Sequence, residues 1–145
     1  VGLRIVPIEQ TDYAALAGVL AENNLLAGDL DGDNKRFFAF VDGSGWRVGV
    51  GGLELYGSAA ILRSFFTISH HRGQGLGGQM LEELLSTAKA LGVADVYLFT
   101  VEAEAFFNKH GFLTVDRTVA PAGVRDSRQF VEHCHNASFM HRKIA

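Results

Sequence analysis

Apolar residues along this chain fall into short alternating or unbroken stretches, parted by polar turns and by segments of helical period. Leu3 to Ile8 alternates around Arg4 and ends near Pro7, as a first strand does. Thr11 is placed to cap a helix from Asp12 to Glu22, where Tyr13, Leu16, Val19 and Leu20 recur at helical spacing. Leu25, Leu26 and Leu30 suggest a second short helical piece, before a polar run from Asp29 to Asn34 that reads as a solvated loop. That run has the look of a calcium loop but lacks the twelfth-position glutamate. Arg36 to Val41, Trp46 to Tyr56 and Ala59 to Ile68 are three strands of an antiparallel meander, turning at Asp42-Gly43-Ser44-Gly45 and Gly57-Ser58. A helix from Gly75 to Leu91 buries Leu76, Met80, Leu84, Leu85, Ala88 and Leu91, and Gly92 ends it. Val93 to Thr100 is nearly all apolar and must return parallel to the third meander strand. A short helix from Glu102 to His110, a strand opened by Phe112, an irregular stretch after Asp116 and a last strand from Ser138 to Lys143 complete the pattern. The order predicts an α+β domain, a mixed central sheet of six to seven strands flanked by helices.

Candidate chemistry gathers where the third meander strand meets the long helix. Phe65, Phe66 and Thr67 lead through His70-His71-Arg72 into Gly73, Gln74, Gly75, Leu76, Gly77 and Gly78. Glycines clear space around the main chain, and the free N–H groups of a helix's first turn attract anions, with Arg72 adding a full charge. A P-loop is excluded, because no lysine and hydroxyl follow the glycines. Gly73, Gly75 and Gly78 match Gly-x-Gly-x-x-Gly, but the polar linker before them and the early position of Asp95 fail the dinucleotide context. A nicotinamide-binding oxidoreductase is therefore the weaker reading. A plain turn needs one or two glycines, not four.

Arg72, Gly75 and Gly77 also fit Arg/Gln-x-x-Gly-x-Gly/Ala, and Phe106-Phe107-Asn108-Lys109-His110-Gly111-Phe112 follows about thirty residues later. Together these resemble the two signature motifs of the GNAT superfamily of N-acetyltransferases, and the element order matches along the whole chain. The resemblance implies acetyl-CoA as cofactor. Phe65, Phe66 and Thr67 would bind its pantetheine arm by main chain, and Gly73 to Gly78 its pyrophosphate. The resemblance also places Phe107 where the family's proton-donating tyrosine usually stands, and Thr100 where an asparagine usually contacts the cofactor. Phe107 has no proton to give, so a water, Tyr56 or Tyr97 must supply it, or the thiolate leaves unassisted. The same substitution opens a second reading, an acyl-CoA-binding sensor without turnover. Gly52-Leu53-Glu54, Tyr56-Gly57, Leu62-Arg63-Ser64, Val124-Arg125, Cys134 and Ser138-x-Met140 are similar to one subgroup, related to N-acetylglutamate synthase domains and linked to arsenic resistance. That implies a small amino-acid-like amine as acceptor.

Amine acetylation needs an unprotonated nitrogen, and Glu54, two residues from Tyr56 and on the same strand face, is the candidate base, directly or through a water. An acceptor carboxylate would be met by Arg63 or Arg125. Main-chain N–H groups at a strand bulge are the candidate oxyanion donors. His133-Cys134-His135 is read as a non-metal site, since neighbours on a strand face opposite ways, and His70-His71 as a polar turn rather than a ligand pair. The 145 residues suffice for one domain, and a formal charge of −3 speaks against nucleic acid or an anionic membrane as partner. A single cysteine suits a reducing cytoplasm, Leu3 to Val6 is too short for a signal-peptide core, and exposed strand edges leave room for a homodimer.

Overall fold

The computed structural model describes residues 2–68, 75–133 and 136–145. Strands β1 (Arg4–Pro7), β2 (Lys35–Val41), β3 (Arg47–Tyr56), β4 (Ala59–Thr67), β5 (Asp95–Thr100), β6 (Leu113–Thr114) and β7 (Ser138–Lys143) form a seven-stranded mixed sheet in the order β1-β2-β3-β4-β5-β7-β6. The first four pair antiparallel as successive hairpins. Helix α2 (Leu76–Ala90) then carries the chain across one face, so β5 returns parallel to β4. That pairing runs only from Ala59 opposite Asp95 to Ile61 opposite Tyr97. Beyond it β5 turns to β7, with which it pairs along its full length, and a cleft opens between β4 and β5.

Both sheet faces are covered. On one, α2 buries Met80, Leu81, Leu84, Leu85 and Ala88 against Phe40, Val48, Leu53, Val96 and Leu98. Each of the Met, Leu, Val and Phe side chains among them contributes about 1.5–3 kcal/mol by leaving water. Helix α3 (Glu104–Lys109) extends this layer through Phe107. On the other face, α1 (Tyr13–Glu22) sets Leu16 and Leu20 against Phe37, Ala39 and Val50. The short helices α4 (Ala122–Arg125) and α5 (Arg128–Glu132) cover Ile61, Tyr97 and Phe139. The glycines of β3 let these layers close. A Cβ on Gly49 would come within 2.4 Å of Met80 Cε and 2.8 Å of the Phe66 carbonyl oxygen, and one on Gly52 within 2.7 Å of the Phe37 ring.

Three local expectations are corrected. Thr11 does not cap α1: it lies inside a 3-10 turn, Gln10–Asp12, and the helix starts at Tyr13 with no side-chain cap. Leu25 to Leu30 form no helix, because Asn24 adopts a left-handed conformation (φ 59°) and Leu25 N–H closes back on the Leu20 carbonyl. The apolar spacing there serves packing, with Leu25 and Leu30 in the α1 cluster. Phe112 precedes β6 and fills the α2 core, leaving a strand of only two residues.

Candidate active site

The site is built on a defect in the β3–β4 pairing. Val50 faces Phe66 and Gly52 faces Arg63, so Gly51 opposes two residues, Ser64 and Phe65. Ser64 takes up the extra length with φ 55°, a left-handed conformation uncommon outside glycine. A bulge of this kind leaves ladder groups unpaired and re-aims the neighbouring side chains. Here it lies beside the opening between β4 and β5. The resulting cavity, about 510 Å3, is bounded by Arg63 to Phe66 of β4, Leu98 to Thr100 of β5, Asn23 to Leu26 after α1, Phe107 of α3, and Gln129 and His133 at α5.

Beneath it lies a charge network that joins three segments of chain. The Arg63 guanidinium is fully buried; its Nη1 donates to Glu54 Oε2 at 2.8 Å and its Nη2 to the Leu26 carbonyl at 2.9 Å. Asp29 Oδ1 stands 2.7 Å from the same Nη2, an ion pair not aligned as a hydrogen bond, while Lys35 Nζ donates to the Asp29 carbonyl. Tyr56 Oη donates to the other Glu54 oxygen at 2.6 Å. Burial, then the hydrogen bond to Glu54 and its charge, push the Tyr56 phenol well above its usual range, outweighing the opposing hydrogen bonds with Asn34 and Ser127. Glu54 and Tyr56 thus share a face and both turn inward. A buried cation and carboxylate must be paired in this way, since either left alone costs several kcal/mol.

The other sequence candidates divide. Phe65 and Phe66 line the cavity, Phe65 ringed by Phe40, Phe106 and Phe107, and Thr67 follows at the end of β4 beside Met80. Thr100 lines it too, but its Oγ1 accepts from Ala103 N–H at 2.9 Å and so fastens the turn into α3. Phe107 packs between Phe65 and Phe112. Gly75 caps α2 with φ 74°, and among the described residues a Cβ there would meet nothing within 4 Å. Leu76 packs on the core. Gly77 and Gly78 serve a second purpose: their Cβ positions lie 3.2 Å from Phe106 and 3.0 Å from His110, so they let α3 dock on α2. Arg72, Gly73 and Gln74, with His70 and His71, lie outside the described residues, as do Cys134 and His135.

The two arginines offered to an acceptor do not fill that place. Arg63 is already committed to Glu54, Asp29 and the Leu26 carbonyl. Arg125 donates to the Thr118 and Ala120 carbonyls, is exposed, and does not border the cavity. Three residues to which sequence reasoning gave no role in the site matter instead. Asp29, taken for part of a solvated run, is buried against Arg63. Arg117 lies over the rings of Phe99, Phe130 and Phe139 and donates to the His133 and Ala137 carbonyls, tying down the far wall. His133 stacks on Phe99 and borders the cavity, and burial, the largest cause, holds its imidazole below its ordinary pKa. No local periodicity marks any of the three. Among the described residues, no cluster of three His, Cys, Asp or Glu side chains is placed to hold a metal, and no helix is long and apolar enough to cross a membrane.

A parallel strand pair that parts beside a bulge, joined by a glycine-started helix, defines an acyltransferase fold, and the chain belongs to the GNAT acetyltransferase family. Residues 33–113, more than half of the chain, match the model of the acetyltransferase (GNAT) domain. Solved structures agree in fold. A GNAT-family acetyltransferase of Staphylococcus aureus Mu50 is 17% identical, with TM-score 0.72 over 99% of this chain and 100% of that one. N-acetylglutamate synthase of Neisseria gonorrhoeae, solved with coenzyme A and N-acetyl-glutamate, is 15% identical, with TM-score 0.77 over 100% of this chain and 36% of its own. A variant of spermidine N-acetyltransferase from Vibrio cholerae is 14% identical, with TM-score 0.74 over 97% and 93%. No curated protein sequence matches the chain.

Proposed function

We propose that the protein transfers an acetyl group from acetyl-CoA to the amine of a small amino-acid-like acceptor, directly, with both substrates bound together. The observation that carries this is the cleft itself: β4 and β5 pair only as far as Ile61 and Tyr97, and the cavity beyond is bounded by the bulge at Ser64, by Phe65 and Phe66 of β4 and by Leu98 to Thr100 of β5. A slot beside the strand that leads in sequence to the N-terminus of α2 suits an acyl chain that carries a diphosphate. Phe65 to Thr67 would hold the arm, and the first-turn amides of α2 the diphosphate. Bound there, acetyl-CoA supplies an activated carbonyl.

The chain's own contribution is placement and polarity. Holding both reactants in one cavity removes the entropic cost of encounter, and main-chain N–H groups released by the bulge can stabilise charge on the carbonyl oxygen. Glu54 acts as a positioning residue, since both its oxygens are engaged below the floor. Tyr56 is a poor acid for the departing sulfur, because a phenol raised this far above the thiol range keeps its proton. Tyr97, raised by burial and stacked on Phe139, is no better. Neither tyrosine borders the cavity, and neither is assigned the acid role. Side-chain amides of Asn24 and Gln129 in the cavity wall are donors for the polar end of an acceptor.

Calorimetric titration with acetyl-CoA and with NAD, then thiol release across amino acids and their phosphorus or arsenic analogues, tests the reading. Acetyl-CoA binding with turnover of one such amine is the expected result. Binding without turnover of any amine would favour the sensor. Absence of acetyl-CoA binding would overturn the assignment.

A further inference from the structure

We propose that the imidazole of His133 takes the proton from the acceptor's ammonium group and so is the general base of the transfer. This rests on the reading of the chain as an acetyltransferase acting on an amine. Its starting point is the engagement of Glu54, which is 1% exposed and accepts from Tyr56 on one oxygen and Arg63 on the other. A carboxylate held by two donors beneath the floor is not free to receive a proton from above it. Of the described residues around the cavity, Arg63, Glu102 and His133 carry ionisable side chains. A guanidinium cannot accept a proton, and Glu102 is exposed on the turn before α3.

His133 is placed differently. Its ring lies on Phe99 at 5.7 Å between centroids and 25° between planes, and Phe99 sits on β5 past the point where that strand has left β4. The imidazole therefore borders the same opening as the bulge. Its main chain is held at both ends, the N–H by the Gln129 carbonyl at 3.1 Å and the carbonyl by Arg117 Nη2 at 2.9 Å. Burial is the main influence keeping the ring neutral. Arg117 and Arg63 act in the same sense, while Glu132 and Asp29 oppose them. A neutral imidazole at neutral pH has one nitrogen lone pair to offer.

The step balances. The ammonium gives one proton to the imidazole, and the freed lone pair attacks the thioester carbonyl carbon. The C–N bond forms and the C–S bond breaks, with the electron pair leaving on sulfur. A second nitrogen proton passes to that thiolate, and the imidazolium returns its proton to water. Ammonium and thioester become amide, thiol and one released proton.

Two probe amines separate a base from a structural role: ethanolamine, an ammonium at neutral pH, and methoxyamine, which is already unprotonated. With saturating acetyl-CoA, His133→Gln should lower kcat/KM for ethanolamine about a hundredfold. It should also remove the rise in rate through the imidazole titration, and leave methoxyamine turnover and acetyl-CoA affinity unchanged. Equal losses on both probes, or no loss on either, would overturn the assignment. Failure of the wild-type protein to bind acetyl-CoA or to acetylate either probe would instead count against the proposed function. An NMR titration of the His133 ring in the protein alone is an independent check: a neutral ring at pH 7 is expected, and an imidazolium would overturn the inference.

Discussion

Arg63 shows how far a residue's role depends on its surroundings. In sequence it is a cation on the strand that leads to the glycine loop; in the fold it is the hub of a buried network with Glu54, Asp29 and the Leu26 carbonyl. Arg63→Ala would take the guanidinium from two buried carboxylates, leaving Glu54 with Tyr56 and Asp29 with Lys35 at 4.0 Å, and should cost about 3–5 kcal/mol in denaturant unfolding. Tyr56→Phe removes one donor from Glu54 and should cost about 1–3 kcal/mol. On the proposed mechanism Tyr56 gives no proton, so thiol release by that variant should stay near the wild-type rate; a collapse in kcat with stability intact would restore it as proton donor. The pairing of Glu54 with Tyr56 was legible from the two-residue period of β3, whereas the pairing of Arg63 with Asp29 crosses 34 positions of chain and leaves no local trace.

At the level of elements, the glycines have two functions that their spacing does not separate. Gly75 is needed for its left-handed conformation at the start of α2, so Gly75→Ala should cost about 1–2 kcal/mol through strain alone. Gly49 is needed for room. Gly49→Ala would press on Met80 and on the Phe66 carbonyl next to the bulge, and should lose about 1–3 kcal/mol of stability by overpacking. Because it moves β4 main chain at the proposed arm-binding residues, it should also weaken acetyl-CoA binding in calorimetry; an unchanged affinity would place the arm elsewhere. Gly77 and Gly78 fit an anion motif by sequence, yet their spacing also admits Phe106 and His110 of α3, a contact visible only once the helices are packed.

Across the whole molecule, the three segments around the cavity are tied to one another through side chains: Asp29 and Leu26 to Arg63, Tyr56 to Asn34 and Ser127, and Arg117 to the wall that bears His133. His133 gives this assembly a pH signature. Its folded-state pKa lies below its ordinary value of about 6.5, so below that pH the unfolded chain takes up a proton that the folded chain refuses. The stability is fully present above about pH 6.5 and is lost as pH falls toward the folded-state value. His133→Gln should flatten that acid limb in urea midpoints measured against pH, and an unchanged limb would mean that the ring is solvated.

The order of the strands, the long helix α2, the parallel return of β5, the shared face of Glu54 and Tyr56, and the two GNAT motifs were determined by the chain's own periodicity and local residues. These are short-range properties: a two- or 3.6-residue repeat and a helix start are written within a dozen positions. The tertiary structure alone decided which charges meet under the cavity, that β4 bulges at Ser64 and not elsewhere, and that His133 faces the opening. Those depend on atoms brought together from distant segments by close packing, and on burial, which sets the ionisation of each group only after every layer is in place.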